Sequence, residues 1–303
     1  MTSSRIKISP EGPEFSRLTH GLWRLKDWDK SLIEIQEMIH ACMQLGITTF
    51  DHADIYGDYN CERLFGTALA ETSIRREDIQ LVTKCGIKLV SKNHPETLIQ
   101  HYDTSASHIL NSVENSLKNL KTDYIDLLLI HRPDPLMKAE EVGEAFSRLK
   151  ESSKVRHFGV SNFLPSQYEL LSSCTDIPLV TNQIEFSVLN MEAQDNGILD
   201  LCQRLRISPM AWSPLGGGAL FHENTERMRQ LRQVLKDIGE DLGASSIDQV
   251  ALAWILHHPV HFVVVLGTGK LDRIRRAVEA EKISFSREQW FMVWRASMER
   301  EVP

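Results

Sequence analysis

Four side chains with complementary acid–base chemistry are spread through the first half of this 303-residue chain: Asp51, Tyr56, Lys84 and His131. A phenol has an ordinary pKa of about 10 and is a poor proton donor near neutrality. A neighbouring ammonium stabilises its phenolate by Coulomb attraction. Lys84 is suited to be that ammonium, and Asp51 to hold it charged and in place. His131 can hydrogen-bond either the phenol or an oxygen of substrate. Such a set suits protonation of a carbonyl oxygen while hydride reaches the carbon. No protein side chain gives hydride, so a nicotinamide cofactor is implied.

Residues so far apart in sequence need a fold that gathers them. Eight β-like runs read near 17–21, 48–51, 81–84, 125–131, 157–161, 180–184, 207–212 and 262–267. Several are solidly apolar, as parallel strands covered on both faces are. Between them Leu32, Ile35, Met38, Ile39 and Met43 recur at helical spacing, as do Ile109, Val113, Leu117 and Leu120. Ser31 and Glu34 are placed for a capping box. Residues 248–256 read as a further helix, stopped by Pro259. Strand and helix alternating eight times predicts an α/β fold, a (β/α)8 TIM barrel in one domain spanning 1–303. Residues 6–15 are expected to form a short hairpin closing its bottom. A doubly wound sheet would need a glycine-rich loop after its first strand, and Leu22-Trp-Arg-Leu-Lys26 is not one.

The polar residues then fall at the C-terminal ends of the predicted strands, where a barrel builds its active site. The second strand ends in Asp51, the third in Lys84 and the fourth in His131. The fifth ends in Ser161 and Asn162, the sixth carries Asn182 and Gln183, and the seventh ends in Trp212 and Ser213. The eighth leads into Gly267 and Thr268, and Tyr56 sits on the loop after the second.

Composition narrows the classes. Apolar residues make up 42% and charged residues 25%, with a net charge of −7, as in ordinary globular proteins. No basic stripe suggests nucleic acid. No apolar stretch reaches the roughly 18 residues of a membrane span. Five dispersed cysteines without a CxxC pair fit reduced thiols, hence a cytoplasmic protein.

Over residues 17–280 the sequence resembles the aldo-keto reductases, in particular a bacterial subgroup of predicted oxidoreductases. The resemblance is carried by Gly46-Ile-Thr-Thr-Phe-Asp-His-Ala-Asp-Ile-Tyr-Gly57, Val82-Thr-Lys84, Thr122-Asp-Tyr-Ile-Asp-Leu-Leu-Leu-Ile-His131, Gly159-Val-Ser-Asn-Phe163, Asn182-Gln183, Trp212-Ser-Pro-Leu215 and Leu266-Gly-Thr-Gly-Lys270. It implies NADPH-dependent reduction of aldehydes or ketones, with Tyr56 as general acid and Lys84, Asp51 and His131 completing a tetrad. It implies that Ser161, Asn162 and Gln183 hold the nicotinamide carboxamide and that Trp212 stacks on the ring. Ser213, Leu215 and Gly217 match a loop along the pyrophosphate. Thr268, Lys270 and Arg273 match the segment around the adenosine 2′-phosphate, whose charge favours NADPH (NADP). The family also contains NADPH-binding accessory barrels, the potassium-channel β subunits, which is the alternative reading. The expected partner is a small-molecule carbonyl substrate, and the expected state a monomer or weak homo-oligomer.

The remaining signals divide. Trp23, after the first strand, is expected to line the substrate pocket. Trp28 either joins it or covers a helix. Arg132 either pairs with Asp134 or offers a cation to anionic substrates. Asp54 and Asp58 read as solvated loop acids. His257-His-Pro-Val-His261 reads as a helix end and no metal site. Trp290 and Trp294 read as a packed helix face. Long loops at 90–108 and 216–232 are expected to wall the site.

Overall fold

The computed structural model describes residues 2–302. Its strands are β1 (Arg5–Lys7), β2 (Glu14–Ser16), β3 (Leu18–Gly21), β4 (Thr49–Asp51), β5 (Gln80–Cys85), β6 (Ile87–Lys88), β7 (His101–Tyr102), β8 (Ile125–Ile130), β9 (Val155–Ser161), β10 (Leu179–Glu185), β11 (Met210–Trp212) and β12 (Val263–Leu266). Eight of them, β3, β4, β5, β8, β9, β10, β11 and β12, close in that order into a parallel barrel. Each contains the core of one apolar run read from the sequence, with ends shifted by no more than a few residues.

Strand alternation decides which residues meet at the centre. Val82, Leu127, Leu129, Val180, Met210, Val263 and Val265 pack together inside the barrel. Their neighbours Leu81, Leu128, Phe50 and Val264 face outward into the helical layer. Continuing each alternation to the strand's end turns Asp51, Lys84, His131 and Trp212 inward. The register sets Asp51 beside Val82 and Lys84 beside Leu129, so the Lys84 stem need reach back only slightly to meet Asp51.

The opposite end is sealed by β1 and β2, which pair antiparallel with Ile6 beside Phe15. Ile8 and Phe15 are fully buried against the barrel interior. This hairpin bonds to strand N-terminal ends: Ser16 N–H donates to Thr49 Oγ1 at 3.1 Å, and Ser208 N–H to Ile8 O at 2.7 Å. Ser3 and Ser4 hydroxyls both donate to the carboxylate of Glu281, at 2.5 Å each.

Local signals hold where they were local. Ser31 and Glu34 form the capping box of helix Leu32–Gln44. Helix Ile247–Leu256 ends at His257, and His258 lies against the rings of Phe186, Phe262 and Trp290. Trp290 stacks on Trp254 at 4.6 Å, and each indole N–H donates to the other residue's carbonyl. Two expected loops contain more structure than read. Residues 90–108 include a bridge between Ser91 and His94, strand β7 and the start of helix Ala106–Leu120. Residues 216–232 run into helix Glu226–Leu242, whose buried Leu231, Leu235 and Ile238 keep helical spacing. Among the described residues no helix is long and apolar enough to cross a membrane.

Candidate active site

Lys84 is the hub. Its Nζ lies 2.9 and 2.8 Å from the two Asp51 carboxylate oxygens, 2.7 Å from His52 O and 3.0 Å from the Tyr56 hydroxyl. Lys84 is 1% exposed and Asp51 2%. Burial alone would discharge this ammonium, but Asp51 and Tyr56 overcome it and hold the lysine above its ordinary pKa. Gln183 Nε2 donates to Asp51 Oδ1 at 2.8 Å and fixes the carboxylate from the far side of the barrel.

Tyr56 hangs on a turn, Tyr56–Tyr59, in which Gly57 (φ 57°) and Asp58 (φ 56°) are left-handed. A Cβ at position 57 would meet Cys61 Sγ at 2.5 Å and Lys26 Cβ at 2.9 Å. Only glycine lets the chain turn there and point the phenol back at Lys84. Burial raises the phenol's pKa, partly opposed by Lys84. In this state the ammonium does not leave Tyr56 ionised; it leaves a protonated phenol beside a cation ready to receive its negative charge.

The His131 ring stands edge-on to Tyr56, centroids 5.9 Å apart at 76°. Burial, with Lys84 and Arg132 nearby, holds its pKa well below the usual histidine value. It is therefore a neutral imidazole, able to donate one hydrogen bond without adding charge.

Next to these lies a second network. Ser161 Oγ donates to Gln183 O, and Asn162 Nδ2 donates to Ser161 Oγ and to His131 O. Trp212 Nε1 donates to Asn162 Oδ1 at 2.9 Å, which fixes the indole plane at the mouth. The Arg132 guanidinium sits 5.5 Å from the centre of that indole. It makes no ion pair with Asp134, whose carboxylate accepts instead from Thr104 and the Leu136 N–H. Burial raises the pKa of the Glu185 carboxyl, opposed by a hydrogen bond from Asn190 and by the charge of Arg132.

Further around the rim, Gly216, Gly217 and Gly218 all have positive φ (59°, 63° and 105°). They follow Ser213 and Leu215, and Arg24 Nη2 donates to Gly217 O across the mouth at 3.2 Å. Thr268 Oγ1 accepts from the Lys270 N–H at the start of helix Leu271–Ala280. Lys270 and Arg273 are exposed, and among the described residues neither pairs with a carboxylate. Trp23 is 56% exposed on the rim. Tyr59 accepts from Leu89 N–H and packs on His94 at 4.2 Å, tying the Tyr56 turn to the 90–100 loop.

One reading is corrected. Asp54 is only partly solvated: the residue is half-buried, and its Oδ1 is shielded from solvent without a partner. Burial, then the charge of buried Glu62, pushes its pKa well above the usual carboxylate range. Glu62 accepts from Thr83 Oγ1 at 2.6 Å. The sequence placed Asp54 on a loop but could not show that helix Ala106–Leu120 packs over that loop.

A closed parallel barrel thus gathers a phenol, an ammonium, a carboxylate and a neutral imidazole at its strand C-terminal ends, where barrel enzymes build their active sites. The aldo/keto reductase family profile matches residues 17–296, and the chain belongs to that family. It is an oxidoreductase of the nicotinamide-dependent type. It is 52% identical to the "Uncharacterized oxidoreductase YcsN" of Bacillus subtilis, over 99% of each chain. It is 46% identical to a 6-dehydroglucose reductase of Agrobacterium fabrum, over 98% of this chain and 99% of that one. The crystal structure of the thermostable aldo-keto reductase Tm1743 with epalrestat superposes with a TM-score of 0.80 at 27% identity, covering 97% of this chain and 99% of that one.

Proposed function

We propose that this chain is an NADPH-dependent carbonyl reductase in which Tyr56 is the general acid. The observation that carries the reading is the Lys84 ammonium, bonded at once to Asp51 and to the Tyr56 oxygen. Because Tyr56 accepts from Lys84, its own proton is free to point into the pocket. A substrate carbonyl oxygen bonded to that proton and to His131 gains negative charge as hydride arrives at carbon. The proton then crosses, and the phenolate left behind faces a full positive charge. A neutral His131 polarises the carbonyl without competing as an acid.

NADPH would supply the hydride. The residues present fit it. Trp212, locked by Asn162, offers a flat face for a nicotinamide ring, with Ser161, Asn162 and Gln183 behind it. Ser213, Leu215 and the left-handed Gly217 offer backbone N–H groups for a pyrophosphate. Thr268, Lys270 and Arg273 offer a hydroxyl and two free cations at a helix N-terminus for a 2′-phosphate.

For substrate, the Agrobacterium relative bears the name 6-dehydroglucose reductase. A sugar-derived aldehyde suits a rim that combines Trp23, Arg132 and Glu185: an apolar face, a donor and an acceptor. The fully assembled tetrad favours an enzyme over an accessory NADPH-binding barrel. The deciding experiment follows NADPH oxidation against neutral, hydroxylated and carboxylated aldehydes, with wild type beside Tyr56→Phe. Turnover should fall by about 10²–10⁴ in the variant, with NADPH binding retained by fluorescence titration. Wild-type turnover in the variant would remove Tyr56 from its role.

A further inference from the structure

The segment proposed to bind the 2′-phosphate is gripped from two sides. From within, His20 is fully buried, and its Nε2 donates to Thr268 O at 3.0 Å; a carbonyl can only accept, so Nε2 carries the proton. From outside, Trp28 in the loop after β3 stacks on His20, centroids 5.8 Å apart and planes 20° from parallel. The same indole lies flat against Gly269. A Cβ on residue 269 would come within 2.6 Å of Trp28 Cδ2 and 2.9 Å of Cε3. Trp28 therefore touches the backbone itself, between Thr268 and Lys270, and nothing larger than glycine admits it.

We propose that Trp28 is a positioning residue for the cofactor's adenosine 2′-phosphate, acting through Gly269 to hold Thr268 and Lys270 in binding geometry and so setting the preference for NADPH over NADH. This rests on the NADPH reading above. A phosphate gains from a hydroxyl and two cations only when these are already held in place; groups that must be ordered on binding give back much of the gain. The clamp supplies that order to a segment whose own strand, β12, has ended at Leu266. NADH, lacking the 2′-phosphate, draws nothing from it.

Calorimetry with adenosine 2′,5′-bisphosphate and with 5′-AMP tests this on wild type, Trp28→Ala, Trp28→Phe, Gly269→Ala and the Trp28→Ala/Gly269→Ala double variant. Trp28→Ala is expected to weaken the bisphosphate about tenfold, roughly 1.4 kcal/mol, and to leave 5′-AMP unchanged. Its kinetic loss falls on KM for NADPH rather than on kcat. Trp28→Phe, which keeps a ring on Gly269, recovers most of the affinity. Gly269→Ala drives a methyl into the indole and weakens the bisphosphate similarly, and the double variant is no worse than either single one. Equal weakening of both adenylates by Trp28→Ala, or additive single effects, would overturn the proposal. Wild type binding the bisphosphate no tighter than 5′-AMP would instead overturn the NADPH reading beneath it.

Discussion

Gln183 Nε2 and Lys84 Nζ reach the same oxygen of Asp51, at 2.8 and 2.9 Å, the first from across the barrel and the second from the neighbouring strand. The carboxylate at the centre of the site is thus held by one neutral and one charged donor. Removing the charge should cost far more than removing the amide. Asp51→Asn leaves Lys84 buried and uncompensated, a loss of about 3–5 kcal/mol by the general cost of breaking a buried pair. Gln183→Leu removes one hydrogen bond to a charged group, about 1.5–3 kcal/mol. Urea unfolding of the two variants checks the order, and a reversed order would mean that Lys84 is compensated elsewhere.

Asp54 makes a prediction opposite in sign to that of an ion-paired carboxylate. Its folded pKa is raised by burial and Glu62, so the folded state is penalised once pH exceeds the unfolded value of about 4. Asp54→Asn escapes that penalty. Relative to wild type, the variant should gain stability as pH rises from about 4 to 7. Tm measured across that range tests it; a constant difference would show that Asp54 ionises normally.

His20 and His52 act at the acid end. Burial holds them neutral, His20 down to about 4 and His52 to about 3. Their folded pKa values lie below the unfolded value near 6.5. Their contribution is complete above that pH and is lost as pH falls toward 4 and 3. The loss approaches about 1.4 kcal/mol per pH unit for each histidine. Both ring nitrogens of His52 lack partners, and its ring meets Phe65 at 4.6 Å. His52→Leu should therefore flatten the fall in Tm between pH 6.5 and 5. An unchanged slope would assign acid unfolding to other groups.

Arg132 makes no ion pair with Asp134 and is proposed as a contact for anionic substrates. Arg132→Ala should raise KM for a carboxylated aldehyde about tenfold more than for its neutral analogue, as loss of one charged contact implies. Equal effects on both would confine Arg132 to holding Trp212.

What the sequence made legible follows from how each feature is specified. The barrel could be read because its strands are short apolar runs, and the positions of Asp51, Lys84, His131 and Trp212 because each closes such a run at its C-terminal end. The Ser31–Glu34 box could be read because both partners lie within one turn. Asp54 was misread because its burial depends on a helix more than fifty residues away. Trp28 could not be assigned because one of its partners, Gly269, lies in the loop after the last barrel strand, about 240 residues on from Trp28. Helix Glu226–Leu242 was hidden by the glycines before it, although its own leucine spacing was plain.

The hairpin under the barrel bears on how the chain is made. Ile8 and Phe15 leave the ribosome well before their partners: Ser208 must exist before Ile8 O is satisfied, and Glu281 before the Ser3 and Ser4 hydroxyls are. Ile8 and Phe15 thus wait for Ser208 and for Val263 and Val265, about two hundred residues or more further along, a topology of high contact order. A nascent or truncated chain ending before Ser208 carries an unsealed barrel floor with two large apolar side chains on it. That intermediate, more than the finished enzyme, is where chaperones would be needed and where aggregation would begin.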